Sequence, residues 1–190
     1  LGTSVRAILT ANPNQDPNRL LAGQYLNLPY GFPVVPTDIP FTSELLQVCI
    51  QGLMARYPFL ARRTIATTLY RRPVTALSIG SGPRAVLYNA SHHANEWITT
   101  PVLMKFLEEY AHAVSVNGRI FGMDAQRLFQ QTRLYLVPMV NPDGVDLVTG
   151  AVAPGSEQYE AARRIAAGYP DIPFPDGWKA NLAGGDLNLN

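Results

Sequence analysis

Cysteine is nearly absent. Cys49 is the one example in 190 residues, which excludes an intrachain disulfide and any thiolate-rich zinc knuckle. Charge is sparse as well: charged residues make up 15% of the chain, below the roughly 25% of an average globular protein. The 15 Lys+Arg against 14 Asp+Glu leave a net charge of +1. A nucleic-acid binder or a polybasic membrane anchor needs a concentrated positive face, so this balance argues against both. Long hydrophobic runs are missing too, and the longest, residues 134–140, is far too short to span a bilayer. Leu1 is not an initiator Met and Gly2-Thr3-Ser4 is not a charged n-region, so no signal peptide is expected within the sequence. What remains is 47% apolar, typical of a packed globular protein, and 190 residues are enough for one ordinary domain, or for a domain plus a small module.

The stretch 4–29 has its own character. Ser4 can cap a short helix with Val5, Ile8 and Leu9 on one face, ended by Asn12-Pro13. Residues 20–29 then read as a glycine turn feeding a short strand. Between Tyr30 and Pro40, three prolines and a glycine predict a stiff linker. From Phe41 onward helices and strands alternate. A helix is predicted from Thr42 or Ser43 to about Arg56, with β-rich runs at 64–70, 73–79 and 84–90. A helix opened by Thr100-Pro101 runs to about Val114, and a short one covers 124–131. Residues 134–140 look like a strand buried on both faces, Asn141-Pro142-Asp143-Gly144 reads as a turn, and 156–167 as a helix. This order predicts an α/β sandwich around a mainly buried sheet.

Three histidines can be weighed singly. Ser91-His92-His93-Ala94-Asn95-Glu96-Trp97 follows a predicted strand and precedes a helix, at the kind of crevice where α/β sheets bind ligands. His93 and Glu96 form His-x-x-Glu, an imidazole nitrogen and a carboxylate oxygen able to grip one metal ion. A motif this short recurs by chance, and the pair reads equally well as a polar loop residue and a helix-start carboxylate. His112 reads as a helix-surface residue, His92 as loop packing, and Glu108 and Glu109 as a solvated charged patch in mid-helix.

Context separates these readings. The run Ala85 to Thr100 (AVLYNASHHANEWITT), then Val137-Pro138-Met139-Val140-Asn141-Pro142-Asp143-Gly144, then Asp186-Leu187-Asn188, resembles the zinc carboxypeptidase family, the carboxypeptidase A-like metallopeptidases. The resemblance covers about residues 41–190. It implies the N-terminal part of a three-layer α/β sandwich around a mixed sheet, and a zinc ion with His93 and Glu96 as its first two ligands. Asp186 matches an acidic residue that, in the family, hydrogen-bonds the first ligand histidine. Asn188 matches a substrate-holding asparagine, and Lys179 stands where the family places an arginine that polarises the scissile carbonyl. A lysine can donate to a developing oxyanion as a point charge, although a solvated surface lysine is the plainer reading.

Departures bear on the substrate. Leu189 stands where carboxypeptidases carry the arginine that binds the substrate's C-terminal carboxylate, and Asn95 replaces another arginine inside the His-x-x-Glu motif, at a substrate-binding position. A leucine cannot pair with a carboxylate. The Asp-Leu-Asn-Leu-Asn variant resembles instead the bacterial branch that cleaves γ-D-glutamyl–diaminopimelate bonds in peptidoglycan stem peptides. Residues 1–29 resemble the second half of a LysM module, a small α+β unit of a family that binds N-acetylglucosamine chains. The expected organisation is therefore a partial LysM module over 1–29, a linker over 30–40 and the front of a zinc peptidase over 41–190. The expected partners are the peptidoglycan glycan chain and its stem peptide, in the cell envelope, in a spore or after secretion.

The family draws its third zinc ligand, a histidine, and its general-base glutamate from segments beyond those matched. The expectation is of a fragment that alone binds zinc weakly and does not turn over. A true metallocarboxypeptidase, and a non-catalytic glycan-binding protein with a dead peptidase domain, are the alternatives.

Overall fold

The computed structural model describes residues 4–28 and 32–188. Helix α1, Val5–Ala11, is capped by the Ser4 hydroxyl, which accepts from the Ala7 amide. Its buried positions are Ala7 and Ala11, not the expected Val5 and Leu9, which face solvent. Small residues allow α1 to lie close against the rest of the chain, so packing rather than hydrophobicity chose the inner face. Reciprocal bonds between Asn12 and Asn27, at 2.8 Å each way, tie the helix end to the stretch after the Gly23 turn. No strand forms over residues 20–28, because the apolar alternation there finds no neighbour to pair with. Leu1 to Thr3 and Pro29, at the ends of the LysM-like stretch, and Tyr30 and Gly31 of the expected linker lie outside the described residues.

The proline-rich stretch is bound to the domain rather than suspended between two. Val35 is 1% exposed within the main core. Helix α2, Ser43–Arg56, starts where the Thr42 hydroxyl accepts from the Leu45 amide and Glu44 meets the positive end of the helix. Leu46, Ile50 and Leu53 are its buried stripe, each contributing roughly 1.5–3 kcal/mol of transfer free energy. Three strands follow: β1, Ala61–Thr67; β2, Pro73–Ile79; and β3, Arg84–Asn89. Helix α3 spans Thr99–Ser115. After it come the ribbon β4, Arg119–Ile120, with β5, Met123–Asp124; helix α4, Ala125–Gln131; and β6, Thr132–Val137. Helices α5, Pro142–Val148, and α6, Glu157–Ala166, complete the described elements.

The sheet order is β1-β2-β6-β3. β1 and β6 both run antiparallel to β2, while β3 runs parallel to β6, which makes the sheet mixed. Leu77, Ile79, Leu134 and Leu136 project into one core with Phe41, Ile50, Met104, Leu107 and Tyr110. The alternate residues Arg133, Tyr135 and Leu87 are exposed, so among the described residues nothing covers the second face of β6, which its apolar sequence suggested would be buried as well. The α/β class and the mixed sheet agree with expectation, and the described helices of this core lie on one side of the sheet. A second, smaller core gathers Ala94, Leu147, Ala162, Trp178 and Leu182, with Phe174 wedged edge-on against Tyr159 (5.2 Å) and Trp178 (5.8 Å).

Glu108 corrects the sequence reading most sharply. It is 4% exposed, its carboxylate receives the Val34 and Val35 amides and the Lys105 ammonium, and Arg56 lies 3.6 Å away. An unpaired carboxylate could not remain buried; this one is satisfied from several directions. Its neighbour Glu109 is exposed, as expected.

Candidate metal centre

The parallel strands β3 and β6 end together, with Asn89 opposite Val137. The segments leaving them stay zipped by Ala90 N–H to Val137 O, Val140 N–H to Ala90 O and Asn141 N–H to Ser91 O, each 3.0 Å. Ser91 takes a left-handed φ of 49°, uncommon for a side-chain-bearing residue. It is held there by the Thr99 hydroxyl on its amide (2.9 Å) and by its own hydroxyl against that of Thr100 (2.7 Å). The chain turns sharply there, and a short 3-10 turn, Ala94–Glu96, follows His93.

His93 stands between two carboxylates. Its Nδ1 is 3.1 Å from Glu96 Oε1 and its Nε2 is 3.2 Å from Asp186 Oδ1. The Glu96 hydrogen bond lifts its pKa above the ordinary 6.5, burial pulls the other way, and Asp186 adds a further upward push. The donor set suits zinc: an imidazole nitrogen and a carboxylate oxygen face each other, and a second carboxylate engages the far ring nitrogen. Among the described residues no group of three His, Cys, Asp or Glu side chains is gathered to hold a metal ion. His93 and Glu96 thus offer two donors of the kind zinc takes, without a third gathered beside them among the described residues.

Other expected residues fall at varying distances from this pair. Ala94 N–H donates to Lys179 O and Asn95 N–H to Trp178 O, both at 3.0 Å, so the segment 178–180 runs alongside the His93 turn. The Lys179 side chain is exposed and makes no ion pair among the described residues; with Asp186 it lines a cleft of about 270 Å³ walled by Ile165, Tyr169, Phe174 and Trp178. Asn95 is half-buried, and its Oδ1 is enclosed without a hydrogen-bond partner among the described residues. Asn188 is exposed, and its amide donates to Asp186 Oδ1 at 2.8 Å. Leu189 lies outside the described residues. His92 turns away, its Nε2 3.0 Å from Asn89 Oδ1, and His112 is exposed on α3.

Asn141 was missed. The sequence read it as the first residue of a turn, yet it is the N-cap of α5, with Pro142 in the first turn and Oδ1 accepting from Gly144 N–H at 3.0 Å. The Asn-Pro signal was legible as a helix start. Gly144 is needed at its position because a Cβ would lie 2.6 Å from Ala180 O and 2.8 Å from Ala94 Cβ. Farther along α5, buried Asp143 and Asp146 share Arg72, with Arg72 NH1 2.9 Å from Asp143 Oδ1 and Nε 2.5 Å from Asp146 Oδ2.

Residues 46–188 match the zinc carboxypeptidase family. Gamma-D-glutamyl-L-diamino acid endopeptidase 1 of Lysinibacillus sphaericus is 42% identical over 139 residues, covering 73% of this chain and 34% of its own length. The uncharacterized protein YqgT of Bacillus subtilis is 35% identical over 176 residues, covering 92% of this chain and 46% of its own. The chain therefore spans less than half the length of either curated relative. A metallo-carboxypeptidase from Pseudomonas aeruginosa shares the fold, with a TM-score of 0.51 at 21% identity over 78% of this chain and 31% of that one.

Proposed function

The chain belongs to the zinc carboxypeptidase family, and from that premise we propose that it forms part of a zinc peptidase acting on the γ-D-glutamyl–diamino acid bond of peptidoglycan stem peptides. The observation that carries the proposal is His93 set between Glu96 and Asp186 at the carboxyl ends of β3 and β6. The substrate follows the endopeptidase of Lysinibacillus sphaericus, whose similarity covers 73% of the chain.

In this reading His93 Nδ1 and the Glu96 carboxylate hold the zinc. When bound, the ion supplies Lewis acidity, lowering the pKa of water and polarising the scissile carbonyl. Asp186 accepts from His93 Nε2–H, which leaves the lone pair on Nδ1 and raises the ring's basicity. Lys179, whose backbone is fixed to the ligand turn through Ala94, brings an ammonium to charge developing on the scissile oxygen. Half-buried Asn95 beside Glu96 and exposed Asn188 beside Asp186 are the polar residues that contact the substrate. The third ligand and the general base come from elsewhere in the protein. Residues 1–29, read as part of a LysM module, bind the glycan strand, and such a substrate implies the cell envelope, a spore or the outside of the cell. Among the described residues no helix is long and apolar enough to cross a membrane.

The test is hydrolysis of γ-D-glutamyl–diaminopimelate peptides with free and with amidated C-termini by the full-length protein. Cleavage of both supports an endopeptidase. Cleavage of the free form alone supports a carboxypeptidase, and cleavage of neither by zinc-loaded protein refutes the proposal.

A further inference from the structure

Two separate segments build the candidate centre, the turn 92–96 and the segment 178–180, and one side chain touches both. Asn141 is 2% exposed. Its Nδ2 donates toward His92 O (3.2 Å), Ala180 O (3.1 Å) and Lys179 O (3.4 Å). The orientation of the amide is fixed by its other end, since Oδ1 takes the Gly144 N–H. A capping residue needs only that oxygen, and serine or aspartate supplies one equally well. The NH₂ group is therefore surplus to capping, yet it is buried among three carbonyls, of which Lys179 O also takes the Ala94 N–H while His92 O and Ala180 O have no other donor among the described residues.

We propose that Asn141 is a positioning residue that clamps the Lys179-bearing segment onto the His93–Glu96 turn, so that ligand pair and cation are registered by one amide. Gly144 permits the approach, since any Cβ there would strike Ala180 O and Ala94. Helix α5 is itself anchored by the ion pairs of Asp143 and Asp146 with Arg72. The clamp thus stands on a rigid base, which is what a positioning group requires. Its structural part stands without the peptidase reading, whereas its effect on zinc rests on that reading.

The experiment is amide hydrogen exchange with the full-length protein and its Asn141→Ser and Asn141→Asp variants, followed by zinc titration of each. In the parent, Ala94 and Asn95 amides exchange slowly although they lie outside the regular helices and strands; fast exchange there overturns the proposal whatever the variants do. Asn141→Ser keeps the cap oxygen and loses the NH₂. It is expected to speed exchange at Ala94 and Asn95 about tenfold or more, leave Val145 unchanged, and weaken zinc roughly 10–100-fold. Parent-like exchange in Asn141→Ser means that Asn141 only caps α5, and the clamp is refuted. Asn141→Asp preserves volume and turns an oxygen toward the three carbonyls, so it accelerates the same amides further and provides the readout should the serine variant not fold. If exchange responds and zinc does not bind even to the parent, the metal reading fails and the clamp stands.

Discussion

Replacing Glu108 with alanine distinguishes the structure from the simplest reading of the sequence. A solvated glutamate in mid-helix would be worth less than about 0.5 kcal/mol. The structure instead buries it beneath residues 32–35, where it satisfies two backbone amides and faces Lys105 and Arg56. Arg56 is itself 7% exposed, its NH1 donates to Phe32 O at 2.6 Å, and its guanidinium lies 5.0 Å from the Phe32 ring centre. Alanine removes the one carboxylate and leaves the Arg56 charge and the Val34 and Val35 N–H groups enclosed. Breaking a buried pair in this way costs about 3–5 kcal/mol. In a chain of this size each kcal/mol moves Tm by about 2–4 °C, giving a fall of roughly 6–20 °C. Thermal and urea melts followed by circular dichroism measure it, with Glu109→Ala as the exposed control, expected within about 0.5 kcal/mol of the parent. A Glu108→Ala protein that melts within a degree or two of the parent refutes the buried-carboxylate account.

Three further perturbations probe other parts of the molecule. Cys49 is 1% exposed, and burial first, then the Glu108 charge, pushes its thiol up from 9.0 to about 11. A folded-state pKa above the unfolded one stabilises below the unfolded value and is lost as pH rises through the folded value. Between pH 8 and 10 the parent should therefore lose on the order of 1 kcal/mol more stability than Cys49→Ala, as read from urea melts; equal losses would contradict the shift. Gly144→Ala should destabilise by about 1–3 kcal/mol because its Cβ has no room beside Ala180 O and Ala94, and a parent-like melt would show the approach to be looser. Asp186→Ala should weaken zinc roughly 10–100-fold in a chelator competition, and unchanged affinity would mean that it does not tune His93.

Local pattern gave β2 to the residue and α2, α3 and α6 to within a residue or two, because capping groups and apolar spacing act at short range. β1 lies three residues earlier than expected, at Ala61–Thr67 and not 64–70. Thr68 is drawn into a turn by Arg72 and by Asp143, 75 residues away, and no local propensity encodes that. Glu108 was misread for the same reason, since its partners at 34 and 35 lie 74 and 73 residues off. The approach of His93 to Asp186 across 93 residues was legible only through the family resemblance, which supplied the pairing that spacing alone could not. The Asn141 amide carried no signal at all beyond its cap, because the carbonyls it gathers come from two distant segments.

The central claim is that His93 and Glu96 hold the zinc of a γ-D-glutamyl peptidase. Zinc content and product should be read on one sample of the full-length protein incubated with a γ-D-glutamyl–diaminopimelate peptide. The account predicts one zinc per molecule and cleavage at that bond, with both lost in His93→Ala and Glu96→Ala. A His93→Ala or Glu96→Ala protein that retains zinc at parental affinity, or a zinc-loaded parent that leaves the bond intact, would contradict it.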